Sequence, residues 1–374
     1  GLRISRQRIH DRTDGNSYDI IFEDINSAYM GKKLKKESYT GFDAALDEEQ
    51  QMKEGKYKKA EKYYDSIFEG VETESLPLPG RNGEIPERGY LSKEMDTRES
   101  VVLSACEKLG VTPNILFTGL FGVLMTRYSN SEDSLFATIY NGRNDSRLEN
   151  TVCMLVKTLP VYCSCDPKAT IQTYMTELSE QLLSSMANDI FPFSDICAKY
   201  GFSSDLVFAY QAELSDDYPI GDTIARGHDL SLDMAKMPLL IQVREYNHTY
   251  VLTAEYRSDM YSQAFIDGIL DSYEAAMSSA LKTKLVSEIS VISQRGVDKI
   301  AEFNHTESEY DRNKTISDMF DELVETIPDH TAVVYKDRKY TYKELDEISD
   351  RLGKYIASQG IGREDVVSIL IPRC

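Results

Sequence analysis

Residues 115–128, Ile-Leu-Phe-Thr-Gly-Leu-Phe-Gly-Val-Leu-Met-Thr-Arg-Tyr, are apolar nearly all the way round a helix. A helix with no polar face cannot lie on a surface, so this stretch predicts a buried helix with other elements packed on every side. Thr112 and Pro113, just ahead of it, stand where an N-cap and a first helical residue belong. At 374 residues the chain is long enough for such a core and for a further domain.

The surrounding segments alternate between helical and strand periodicity. Residues 99–109 read as a helix ended by Gly110, 134–139 as a strand, and 152–160 as a strand broken by Pro160. A helix is expected over 171–186, strands over 205–211, 228–232, 239–245 and 250–256, and a helix over 262–281. The third and fourth of those strands predict a hairpin around Asn247-His248. Ahead of all these, 56–70 reads as a helix whose Tyr57, Ala60, Tyr63, Tyr64, Ile67 and Phe68 pack in a core, and 76–83 as a linker. From Ser287 to Thr306 the chain reads as linker again. A helix over 315–326, a hairpin of 332–335 with 339–342, a helix stopping at Gly360 and a strand over 366–371 complete the pattern. Alternating elements of this kind predict an α/β fold.

The candidate chemistry sits at the front, in Ile9-His10-Asp11-Arg12-Thr13-Asp14-Gly15-Asn16-Ser17. A strand is expected before it, and after it a helix with Ile21, Ile25, Ala28 and Tyr29 on one face, capped by Asn16 or Ser17 and closed at Gly31. His10 would then stand exposed between two rigid elements, where an imidazole can act as a general base near neutral pH. Asp14, four residues on, can hold the loop through a buried ion pair. The other four histidines, His228, His248, His305 and His330, are too scattered for a metal site, and no metal is expected. Six cysteines without a CxxC pair read as free thiols of a cytoplasmic protein. A net charge of -20 disfavours nucleic acid and anionic membranes as partners. No apolar run reaches about 18 residues, and no cationic start precedes an apolar core, so neither a membrane span nor a signal peptide is expected.

The front loop resembles the HHxxxDG signature of condensation domains from nonribosomal peptide synthetases, relatives of chloramphenicol acetyltransferase. Ile9 stands at its first His, His10 at its second, and Asp14 and Gly15 match. Further degenerate matches follow in order. Tyr39 and Phe42 fall near YxDYA, with Gly41 replacing the acid, and Asn141-Gly142-Arg143 resembles the second lobe. Residues 152–160 are similar to GxFVNTLP, with Cys153 and Lys157 replacing Gly and Asn, and 188–193 to HQDxPFE. Phe303-Asn304-His305-Thr306 resembles the junction to an adenylation domain, and 340–345 the first adenylation core motif.

The resemblance implies a chloramphenicol acetyltransferase-like condensation fold, a mixed sheet with flanking helices, with a truncated first lobe. Residues 1–80 would be the end of that lobe, a sheet remnant whose open edge should be marginal or pair elsewhere. Residues 81–290 would be the second lobe, 291–313 a linker and 314–374 the start of an adenylation domain. It further implies amide-bond formation between carrier-bound thioesters, with His10 catalytic, Asp14 paired with Arg143, and Gly15 leaving room for a pantetheine arm. Peptidyl carrier domains and the neighbouring adenylation domain would be the partners. No tightly bound cofactor is implied; the phosphopantetheine arms are substrate. Ile9 and the altered motifs raise an alternative, a catalytically degenerate platform that docks carrier or adenylation domains.

Overall fold

The computed structural model describes residues 13–71, 76, 87–203, 205–212, 217–226 and 235–371, and the chain divides into two units after residue 301. The first unit opens with the helices α1 (Gly15–Tyr29), α2 (Gly41–Lys53) and α3 (Lys56–Phe68). There follow strand β1 (Arg88–Glu94), helices α4 (Glu99–Leu109) and α5 (Pro113–Ser129), strands β2 (Asp133–Tyr140) and β3 (Lys157–Ser164), and helices α6 (Ile171–Ala187) and α7 (Phe193–Tyr200). Strands β4 (Leu206–Gln211), β5 (Asp217–Ile220), β6 (Thr223–Arg226), β7 (Leu239–Tyr246) and β8 (Thr249–Arg257) lead to α8 (Gln263–Ala280) and α9 (Gln294–Phe303).

Helix α5 is the axis of the unit, buried at every residue from Ile115 to Thr126. Its Thr112 hydroxyl accepts the Ile115 N–H, so Thr112→Ala should cost about 1 kcal/mol in a urea titration. A Cβ on Gly122 would lie 2.5 Å from Cys163 Sγ, so the bare glycine lets β3 approach the helix. The main sheet runs β1-β8-β7-β4-β2-β3. Strands β2, β4 and β7 are parallel, while β3, β8 and β1 pair antiparallel, a mixed sheet. Helices α5 and α8 cover one face. On the opposite face, at the β2–β3 end, Leu135 and Tyr162 pack with Ala60, Tyr64 and Phe68 of α3 and with Phe191 and Ile196. Asn247 and His248 both adopt positive φ, the geometry of a type I′ turn, and join β7 to β8.

Several expectations are corrected. Asp14, not Asn16 or Ser17, caps α1, because its carboxylate accepts the Ser17 N–H at 2.9 Å. Residues 152–156 form no strand; β3 begins at Lys157 and contains Pro160, opposite Ala137. A proline fits there because β3 is an edge strand. The segment read as linker after Ser287 includes α9, tied to α8 by Arg295 through Asp271 at 3.3 Å and through Asp267. Within the linker expected over 76–83, Leu76 is buried in the main core. Residues 13–71 form helices, not an open-edged sheet, and α2, α7 and strands β1, β5 and β6 had no counterpart in the periodicity. The strands expected over 2–9 and 228–232 lie outside the described residues.

Helix α1 is strapped by the β5–β6 hairpin. Phe22 stacks on Tyr218 with ring centroids 4.1 Å apart, the Tyr218 hydroxyl donates to Asp19 at 3.0 Å, and the Gly221 N–H donates to Asn26 at 2.9 Å. Tyr218→Ala should weaken this strap by about 0.5–1.5 kcal/mol, seen as faster amide exchange in β5 and β6 while α5 exchange is unchanged.

The second unit contains α10 (Ile316–Thr326), the hairpin of β9 (Thr331–Tyr335) with β10 (Arg338–Thr341), and α11 (Tyr342–Ser358). Thr315 with Asp318 and Thr341 with Glu344 form capping boxes, which explains where both helices start. Residues 366–371 form no strand, since no described strand pairs with them, and Leu370 is 99% exposed.

Candidate active site

The site is organised by Asp14. Its side chain is 1% exposed and that of its partner Arg143 6%. Arg143 Nη2 donates to both carboxylate oxygens, at 3.0 and 3.2 Å. The carboxylate also accepts the Leu155 N–H at 3.1 Å, besides the Ser17 N–H that makes it the cap of α1. The Ser17 hydroxyl lies 2.8 Å from Asp14 Oδ1 and 3.0 Å from the Cys153 carbonyl oxygen, and accepts from Arg143 at 3.3 Å. Arg143 is itself fixed, its Nη1 donating to the Leu148 and Thr151 carbonyls at 2.5 and 3.0 Å. A buried carboxylate so fully supplied with donors is a fastening. It ties the start of α1 to residues 143–155 and fixes the point at which the chain enters the helix.

The tie depends on two backbone segments lying against one another. Asn141-Gly142-Arg143 leaves the carboxyl end of β2 in a turn closed by the Arg143 N–H and Asn141 Oδ1 at 3.1 Å. Gly142 has φ +68°, and a Cβ there would stand 1.9 Å from the Leu155 carbonyl oxygen. Only glycine lets the turn rest on the residue whose N–H reaches Asp14.

Around this centre the segments before and after it are clasped together. The Tyr39 carbonyl accepts from the Thr151 hydroxyl at 2.7 Å, and the Arg147 guanidinium lies 4.4 Å over the Tyr39 ring. Arg147 also bonds Asp47 at 2.8 Å and Asp145 at 2.6 Å. Burial and the hydrogen bond to Asp47 push the Tyr39 phenol up to about 12, so it stays protonated. Lys157 reaches Asp189 at 3.3 Å and Glu48 of α2 at 3.8 Å. Burial raises the Asp189 carboxyl above its usual range, against the pull of Lys157. Cys153 is half-buried beside Gly41. Burial, with Asp14 and Glu37 nearby, raises its thiol despite Arg143, so it is held as a thiol rather than a nucleophilic thiolate.

Of the residues singled out from the sequence, Asp14 and Arg143 are brought into contact. Gly15, the first residue of α1, is exposed, with no atom of the described residues within 4 Å of a Cβ built there. His10 lies outside the described residues. Sequence reasoning missed Ser17 as a ligand of Asp14, the Leu155 N–H and Gly142. The first two act through backbone or through a residue read as a cap, and only the glycine of Asn-Gly-Arg carried a signal. Among the described residues no group of three or more His, Cys, Asp or Glu is placed to hold a metal ion.

A condensation-domain family model matches residues 10–301, and an AMP-binding enzyme model matches 320–374. Surfactin synthase subunit 1 of Bacillus subtilis (strain 168) is 26% identical over 384 residues, 97% of this chain and 10% of its own length. Gramicidin S synthase 2 of Brevibacillus brevis is 23% identical over 382 residues, 97% of this chain and 9% of its own. The chain therefore spans about a tenth of the curated relatives it matches. A four-domain nonribosomal peptide synthetase solved with AMP and glycine is similar in fold, with a TM-score of 0.70 and 15% identity, over 93% of this chain and 29% of that one. The first condensation domain of the calcium-dependent antibiotic synthetase, with a substrate analogue, gives a TM-score of 0.61 and 16% identity over 75% of this chain and 65% of that one. The fold is thus the chloramphenicol acetyltransferase-like fold of condensation domains.

Proposed function

Because the chain belongs to the condensation-domain family and runs on into an AMP-binding match, we propose that its first unit makes the amide bond in a nonribosomal peptide synthetase. The amine of an aminoacyl thioester on one peptidyl carrier domain attacks the thioester carbonyl of an acyl or peptidyl group on another. A C–N bond forms, the C–S bond breaks and the pantetheine thiolate leaves. His10 takes the amine proton and returns it to the thiolate. The phosphopantetheine arms are substrate. The neighbouring adenylation domain and the carriers are the partners, and the cytoplasm, where carrier-bound intermediates are assembled, is the setting.

The observation that supports this reading is the buried Asp14–Arg143 pair, placed four residues after His10. In this reading Asp14 and Arg143 are positioning residues that fix where the chain enters α1, four residues after His10 in the sequence. Among the described residues nothing lies within 4 Å of a Cβ at Gly15, which would leave room for an arm to pass. Residues 1–80, 81–290, 291–313 and 314–374 serve in this reading as the end of the first lobe, the second lobe, the linker and the adenylation start. No single described helix is long and apolar enough to cross a membrane.

The test is a condensation assay on the intact parent chain with both carriers loaded, the product read by mass spectrometry. Wild type should form the amide and His10→Ala should not. Unchanged product from His10→Ala removes the imidazole from the mechanism, and no product from wild type leaves only a docking platform.

A further inference from the structure

Asn141 is followed directly by Gly142, so no side chain shields the peptide nitrogen that joins them. Asn141 is exposed, one residue past the end of β2. Its Oδ1 accepts the Arg143 N–H at 3.1 Å. Such a turn folds the carboxamide back over the Asn141–Gly142 peptide and brings its carbon toward the Gly142 nitrogen. Among the described residues the Gly142 N–H donates to no other group. One turn thus holds an unengaged backbone nitrogen, an electrophilic carbon folded over it, and access to water.

The geometry points to Asn141 as a site of spontaneous covalent modification, where the chain alters its own backbone beside the Asp14–Arg143 tie. Hydroxide removes the Gly142 N–H proton, and the nitrogen attacks the Asn141 carboxamide carbon. An N–C bond forms, the carboxamide C–N bond breaks, and the departing nitrogen takes a proton from water and leaves as ammonia, which regenerates the hydroxide. The five-membered imide then adds water. Cleavage at the side-chain carbonyl leaves aspartate and restores the original backbone. Cleavage at the main-chain carbonyl leaves isoaspartate, whose backbone runs through Cβ.

The two products act differently on the site. Aspartate keeps an oxygen for the Arg143 N–H. Isoaspartate inserts a methylene just ahead of Gly142, where the turn already lies so close to residue 155 that a Cβ would stand 1.9 Å from the Leu155 carbonyl oxygen. The lengthened turn must lift away. Arg143 and the Leu155 N–H, which together hold Asp14, then separate.

The test ages the 374-residue chain in mildly alkaline buffer and reads it by peptide mapping, with electron-transfer fragmentation to tell isoaspartate from aspartate. The peptide containing residues 141–142 should gain one mass unit, faster in alkaline than in neutral buffer. Because the turn has already oriented the reacting groups, the folded chain should convert no more than roughly threefold slower than the chain unfolded in urea. A larger slowing means that the turn shields the amide, and it overturns the proposal, as does a peptide that does not convert. Asn141→Ser, whose hydroxyl can close the same turn, is aged alongside and carries every conversion elsewhere in the chain. The isoaspartyl fraction of aged wild type should unfold at lower urea than aged Asn141→Ser, while fresh Asn141→Asp should match fresh wild type. An isoaspartyl fraction as stable as aged Asn141→Ser overturns the effect on the Asp14–Arg143 tie.

Discussion

Asp14→Ala is expected to destabilise the first unit by roughly 3–5 kcal/mol, the cost of leaving a buried charge without its partner. The loss falls on Arg143, whose side chain is 6% exposed and whose Nη2 would keep only the Ser17 hydroxyl at 3.3 Å. The Leu155 and Ser17 N–H groups would lose their acceptor as well. Urea unfolding of wild type, Asp14→Ala, Arg143→Met and the double variant measures the coupling. Removing both partners should cost less than the sum of the single changes, because the double variant buries no orphan charge. A single-variant loss below about 1 kcal/mol, the range of exposed pairs, would show that the carboxylate does not bear on stability as its burial implies.

Gly142→Ala should cost more than the roughly 1–2 kcal/mol that a left-handed backbone alone imposes on an L-residue. Its Cβ would sit 1.9 Å from the Leu155 carbonyl oxygen, a backbone atom that no rotamer can move aside. Relief requires the 141–143 turn to lift off residue 155, which separates Arg143 and the Leu155 N–H, the two groups that jointly hold Asp14. Gly110 supplies the comparison. It caps α4 at φ +71° with nothing among the described residues within 4 Å of an added Cβ, so Gly110→Ala should show the backbone cost by itself. Equal losses for the two alanines would mean that the close approach at Leu155 relaxes freely.

The core was legible where sequence periodicity and burial report the same thing. The apolar run of α5, its Thr112 cap and the Asn247-His248 turn each impose local geometry that no distant contact overrides. The elements that escaped notice are set by tertiary partners. Strand β1 alternates weakly, Arg-Gly-Tyr-Leu-Ser-Lys-Glu, and is a strand because β8 offers it an edge. Residues 152–156 carry an apolar run that reads as a strand, yet their backbone is spent on Asp14 and Ser17 rather than on a neighbour. Residues 366–371 show the reverse case, since strand propensity without a pairing partner among the described residues leaves the segment irregular. At the site, the residue types that attract attention are Asp14 and Arg143. The backbone amide of Leu155 and the bare Gly142 that brings the segments together leave little trace in residue identity.

Pro160 has a consequence for how the protein behaves in concentrated solution. It can stand opposite Ala137 only with its nitrogen turned away from β2, which puts a missing donor midway along the outer rim of the sheet. A second molecule trying to extend the sheet along β3 would find the ladder interrupted there. Two residues on, the same rim is closed a second time by Gln181, whose side chain accepts the Tyr162 N–H at 3.1 Å and donates to the Tyr162 carbonyl at 2.8 Å, so valine at position 160 would reopen only one of two interruptions to growth.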